Sequence, residues 1–229
     1  MWLDDVLNVQ ERDEFVYHEM ISHVPMMTHP DPKRVLIVGG GDGGVATEVM
    51  KHPGLEKVTV VEIDEDLVNQ SRKQMEELFS DSRLEVVLSN AAEYVKTAKD
   101  NSFDVIIIDY TYESDLIMKD CNRILASNGV LTSQSVAPMR QDKEVVRRSI
   151  APMQDVFTKE RTFLYLIPTD TQNGQTALAC CFKEGVHPEE NANRERVERF
   201  RKEKKLKYYN YGIHMGAFEL PNYYRETIS

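Results

Sequence analysis

Cysteine is scarce in this chain and does not come as a framework: Cys121, Cys180 and Cys181 make an odd count. The last two are adjacent, inside an apolar run that reads as a buried strand, so neither a disulfide scaffold nor a zinc site is expected. Long apolar runs are missing as well. Nothing approaches the ~18 consecutive apolar residues of a membrane span. The start Met1-Trp2-Leu3-Asp4-Asp5 lacks the basic residues and apolar stretch of a secretion signal. A cytoplasmic protein with no membrane partner is the expectation. Positive charge is in deficit too: 28 Lys and Arg stand against 38 Asp and Glu, a formal net charge of -10. Nucleic acid, whose phosphates require a basic face, is therefore not an expected partner. The acidic excess attracts cationic ligands if the acids line a cleft, and is otherwise a solvated surface.

What is present is a chain of 229 residues, 41% apolar and 29% charged, enough for one substantial core and too little for several domains. Strand-like apolar runs at 34–38, 57–63, 84–88 and 103–109 alternate with helical patterns at 45–52, 64–79 and 91–99. That alternation predicts an α/β fold, a mostly parallel twisted sheet with helices on both faces. Beyond Asp109 the pattern predicts a helix to about residue 126, an Asn128-Gly129 turn, a strand over 130–135 and a helix over 142–157. The strand-like runs 162–167 and 175–182 lie too close together for a crossover helix and should pair antiparallel. Such a C-terminal hairpin is the ending of a Rossmann-like, class I methyltransferase-type sheet. Residues 188–207 read as a charged surface helix, and 208–221 as an aromatic segment that packs back.

The run GGGDGG from Gly39 to Gly44 satisfies G-x-G-x-x-G between a strand and a helix, with Gly39 and Gly41 letting the backbone approach a nucleotide closely. Glu62 closes the second strand, where an acid grips ribose hydroxyls. The two together point to a nucleoside ligand. Asp42 chooses among nucleosides: a carboxylate inside the turn repels a dinucleotide pyrophosphate and welcomes a cationic S-adenosyl group. Asn90-Ala91, past the third strand, sits where an amide can meet an adenine edge; capping the next helix is the alternative. Asp109 ends the most apolar strand, at the sheet edge where open α/β folds bind ligands. It is the candidate base that takes a proton from an ammonium substrate, against the alternative of a loop or capping aspartate.

ERDEFVYHEM (11–20), HPDPKRVLIVGGGDGG (29–44), KHPG (51–54) and VEID (61–64) closely resemble the spermidine synthase family. The likeness continues through Ile108-Asp109, Ser133-Gln134 and Ile167-Pro168-Thr169, and returns at YYN (208–210), Ile213-His214 and Ala217 to Pro221. It implies a polyamine aminopropyltransferase that moves the aminopropyl group of decarboxylated S-adenosylmethionine to putrescine, giving spermidine and methylthioadenosine. It implies no prosthetic group, no metal, and a homodimer. By the resemblance Glu62 holds the ribose, Asn90 and Ala91 meet the adenine, and Asp42 binds near the aminopropyl ammonium. Tyr17 and His18 border the amine site, Asp109 is the base, and Gln134 lines the polyamine cleft. Residue by residue, packing of Tyr17 and His18 against the core is the alternative.

Three departures accompany the likeness. Residues 1–8 match only the last strand of the family's N-terminal β domain, so 1–24 read as a remnant of that region with the first helix, and 25–229 as the catalytic domain. The family's D-S-S-D-P-x-G-P loop is replaced by the shorter Asp109-Tyr110-Thr111-Tyr112-Glu113-Ser114-Asp115, which puts Tyr112 or Asp115 in the place of a substrate-gripping aspartate. Asn90 stands for the usual aspartate at the adenine, and Asp170 for an aromatic. The alternative activities are an S-adenosylmethionine-dependent amine N-methyltransferase and a catalytically silent nucleoside-binding homologue.

Overall fold

The computed structural model describes residues 2–3, 6–7, 13–110, 114–135, 143–169, 174–184 and 188–228. A short antiparallel pair, β1 (Trp2–Leu3) and β2 (Val6–Leu7), precedes helix α1 (Glu14–Thr28). There follow β3 (Arg34–Gly39), α2 (Gly44–Met50), β4 (Lys57–Glu62), α3 (Glu65–Gln74), α4 (Glu76–Phe79), β5 (Leu84–Leu88), α5 (Ala91–Thr97) and β6 (Phe103–Asp109). Then come α6 (Met118–Ile124), β7 (Leu125–Ser135), α7 (Lys143–Phe157), β8 (Thr162–Ile167) and β9 (Thr176–Phe182). Helices α8 (Pro188–Asn191), α9 (Arg194–Lys204), α10 (Tyr211–Phe218) and α11 (Asn222–Ile228) close the chain.

The continuous apolar strands lie in the middle of a seven-stranded sheet of order β5-β4-β3-β6-β7-β9-β8. Strands β3 to β7 pair in parallel, and β9 returns antiparallel between β7 and β8. The α/β class and the C-terminal hairpin expected from the pattern are thus both present. Side chains alternate across the sheet. Val35, Ile37, Val105 and Ile107 join Met20, Val45, Val49 and Phe200 of α1, α2 and α9 in one core layer. Leu36, Val38, Ile106 and Ile108 meet Val95, Ile124, Val146, Ile150 and Tyr224 of α5, α6, α7 and α11 in the other. All three cysteines are buried and free.

Four local expectations are corrected. The helix read over 64–79 breaks at Met75 (φ -127°, ψ 49°), whose thioether instead lies over Gly43, 2.9 Å from where a Cβ there would sit. Docking on the glycine turn outweighs helix propensity. The segment after Asp109 carries a 3₁₀ turn, Ser114–Ile117, and then α6, which ends at Ile124. Strand β7 starts at Leu125, not 130: Leu125 pairs with Phe103, and after a register shift Val130 pairs with Val105. Lys183 draws this bend in, its Nζ donating to the Leu125 carbonyl and its N–H to that of Gly129. Trp2–Leu3 and Val6–Leu7 pair antiparallel as two short strands where one strand was expected.

Candidate active site

Period-two alternation, with the register, decides which strand ends meet. Val60, Ile37 and Ile107 are aligned neighbours on the α1 face, and Thr132 pairs with Ile107. Two residues on, the same face presents Glu62 (β4), Gly39 (β3), Asp109 (β6) and Gln134 (β7) at the carboxyl rim. The turn after β3 adds Asp42. This is the crevice in which open α/β sheets bind ligands.

The glycine turn and Glu62 are built together. Glu62 Oε2 accepts from Gly41 N at 3.1 Å, while Oε1 accepts from Ile63 N (2.7 Å) and Asp64 N (2.9 Å). A Cβ at Gly41 would lie 2.7 Å from Glu62 Cγ, so only glycine lets the carboxylate seat here. Asp42 Oδ1 accepts from Gly44 N at 3.0 Å, and its Oδ2 stands 3.9 Å from His18 Nε2. The imidazole of His18 lies against Gly44, where a Cβ would come within 2.3 Å of its Cε1. His18 is buried on a packed helix and cannot step aside cheaply. Gly44→Ala is therefore expected to lower the unfolding free energy by about 1–3 kcal/mol and to weaken nucleoside binding. Denaturant midpoints and a ligand titration check the two effects.

Asp109 is half-buried, and Tyr17 donates its hydroxyl to Oδ1 at 2.7 Å. Burial, then the negative charge of Asp42, push the Asp109 carboxyl up to about 8; the Tyr17 hydrogen bond pulls the other way, and the charge of Glu62 adds a lesser push. Tyr17 is itself shifted well upward by burial and by Asp109, so it stays a neutral donor. Burial and the neighbouring acids thus favour the protonated form of the Asp109 carboxyl.

Of the residues expected from sequence, the structure gathers Tyr17, His18, Gly39, Gly41, Asp42, Glu62, Asp109 and Gln134 around one crevice. Asn90 takes the helix-capping alternative: its Oδ1 accepts from Ala92 N (2.8 Å) and Glu93 N (3.4 Å), and Ala91 opens α5. Tyr112 and Asp170 lie outside the described residues, and of Asp115 only the backbone is described. Sequence reasoning missed Glu19, whose buried carboxylate anchors the segment 207–209. Its signal was a carboxylate in the middle of a helix that also carries the apolar Phe15, Val16, Met20, Ile21 and Val24.

Comparison with known proteins gives a consistent answer. Residues 14–189 match the family model for the spermine/spermidine synthase domain. The polyamine aminopropyltransferase of Thermotoga petrophila is 37% identical, over 99% of this chain and 78% of its own length. That of Clostridioides difficile is 35% identical over 99% and 83%. The crystal structure of spermidine synthase from Thermotoga maritima superposes with a TM-score of 0.88 at 38% identity, covering 99% of this chain and 78% of that one. A spermidine synthase in complex with the transition state analogue AdoDATO gives 0.89 at 36% identity, over 99% and 79%.

Proposed function

The chain belongs to the spermine/spermidine synthase family and is a polyamine aminopropyltransferase, and on that premise we propose that Asp109 is the base that readies putrescine to attack decarboxylated S-adenosylmethionine. The observation that carries this reading is the convergence of Asp42, Glu62 and Asp109 on one face of the carboxyl rim, with the Tyr17 hydroxyl on Asp109. Three acids in one crevice suit a ligand pair that is positive at the sulfonium and at each amine.

Glu62, anchored by three backbone amides, keeps lone pairs that accept from ribose hydroxyls. Asn90 and Ala91 border the adenine, and Asp42 faces the aminopropyl ammonium of the donor. Arrival of the sulfonium lowers the Asp109 pKa from about 8, because a nearby cation favours the ionised carboxylate. Asp109 then takes a proton from the acceptor ammonium. The freed amine lone pair attacks the carbon beside sulfur, the C–S bond breaks, its electrons return to sulfur, and methylthioadenosine leaves. Tyr17, His18 and Gln134 line the acceptor's path. The same reading makes the protein a cytoplasmic homodimer, in keeping with the family resemblance.

Purified protein incubated with decarboxylated donor and putrescine is expected to release methylthioadenosine and spermidine in equal amounts. Release of S-adenosylhomocysteine with ordinary S-adenosylmethionine, and nothing with the decarboxylated donor, assigns methyl transfer instead. Nucleoside binding with no turnover of either donor assigns a silent homologue. Cadaverine, agmatine and spermidine in the same assay rank the acceptors.

A further inference from the structure

Helix α1 carries Tyr17 and His18, yet little in its apolar surface fixes how it is turned. Val16 and every residue from His18 to Thr28 are buried, and Asp13 makes no side-chain cap at its start. A helix covered on nearly all sides keeps much of its apolar burial when rotated by a few tens of degrees. Buried polar groups are less forgiving, because each misplacement strands a donor or acceptor in a low-dielectric interior.

Glu19 is such a group. It is 2% exposed, and its carboxylate accepts three backbone N–H bonds: Oε1 from Lys207 (2.8 Å), Oε2 from Tyr208 (2.8 Å) and Tyr209 (2.7 Å). One turn on, fully buried His23 meets Glu48 Oε2 with Nε2 and His52 Nε2 with Nδ1, both at 3.1 Å. The Glu48 carboxylate only accepts, so His23 donates from Nε2 and receives the His52 proton at Nδ1; one tautomer satisfies the chain. At about 100° per residue, Glu19 and His23 stand roughly 40° apart around the helix, and Tyr17 about 160° from Glu19. The anchor and Tyr17 point to opposite sides. A turn that loosens the first swings the second off β6.

We propose that Glu19 is a positioning residue for aminopropyl transfer, holding α1 in the rotation that lays the Tyr17 hydroxyl on Asp109. Its oxygens are engaged by the three amides, so it acts through Tyr17 and not on the reactants. A well-packed apolar side chain would serve stability as well as a buried carboxylate does. What the carboxylate adds is a unique rotation. The groups facing Asp109 are Tyr17 from α1, Asp42 from the glycine turn and Glu62 from β4, with His18 beside Asp42. Glu19 itself faces the amides of 207–209, and its charge also acts on His23.

The inference rests on Asp109 being the base, so its test uses a readout that needs no turnover. Aspartate-labelled protein is titrated by carbon-13 NMR, the Asp109 carboxyl being assigned by its loss in Asp109→Asn. The Tyr17 hydrogen bond favours the ionised carboxylate, so losing it raises the midpoint. Glu19→Gln is expected to raise the Asp109 midpoint in the direction of Tyr17→Phe, and the double variant to titrate as Tyr17→Phe alone. Turnover by Glu19→Gln is expected to fall about tenfold, with KM for both substrates within about twofold of wild type. An unmoved midpoint in folded Glu19→Gln, or shifts that add in the double variant, overturns the proposal. If Glu19→Gln does not fold, Glu19→Asp, which draws the charge back by one methylene, meets the same two criteria. Wild-type protein that fails to transfer aminopropyl groups sinks the functional reading and leaves this titration to decide the role of Glu19.

Discussion

Asp109→Asn is expected to lower kcat by about 10³-fold and, at the same time, to make the protein more stable at neutral pH. The first effect follows because an amide accepts no proton from the incoming ammonium, while the Tyr17 hydrogen bond and the shape of the crevice survive. The second follows from linkage. The Asp109 carboxyl, ordinarily near 3.8, sits at about 8 in the folded chain. Between those values the unfolded chain has released a proton that the native chain still holds, so this group makes stability fall as pH rises through the window. Below about pH 4 wild type and variant should therefore unfold alike. The gap in the variant's favour should open from there to about pH 8 and then stay constant. Thermal melts across pH 3 to 9 beside steady-state assays check both halves. Wild-type turnover by the variant removes Asp109 as the base, and a gap that widens toward acid pH removes the burial and charge argument. The site thus spends folding stability on reactivity, the exchange common at active sites.

Asp42→Asn should produce the largest change in donor preference. Asn keeps an oxygen that accepts from Gly44 N, so the turn folds as before. What disappears is a charge at a position whose side chain is 26% exposed, where an ionic hydrogen bond to ligand ammonium keeps much of its strength. Affinity for the decarboxylated donor should fall about 10- to 100-fold. Ordinary S-adenosylmethionine, whose carboxylate Asp42 repels, should bind no worse or better. The Asp109 midpoint should also move down toward its ordinary value, because Asp42 is the largest charge holding it up. Calorimetry with each donor, beside the Asp109 titration, tests the chain of reasoning. Equal losses for both donors would mean that Asp42 serves the turn and not the ligand.

Much of the fold was legible because alternation and punctuation are local. The run Val105 to Ile108 announces an interior strand, Gly39 to Gly44 a tight strand-to-helix turn, and the spacing of 162–167 from 175–182 an antiparallel return; the sheet bears out each. The failures were local signals overruled from a distance. Met75 breaks a helix its neighbours would continue, because its thioether has a glycine to cover, and Leu125 leaves α6 early, because Phe103 and Lys183 offer a ladder and a charge to join.

By itself the sequence determined the set of acids and their assignment to strand ends and the glycine turn, since residue type and strand period are properties of the chain alone. Only the tertiary structure decided that Glu62, Asp109 and Gln134 share one face, that Asn90 caps α5 with its oxygen, and that Tyr17 reaches Asp109 while Glu19 turns away to hold 207–209. Those facts depend on strand register and on the rotation of a helix buried on almost every side. Both are settled by partners tens to nearly two hundred residues away, and no local pattern records them.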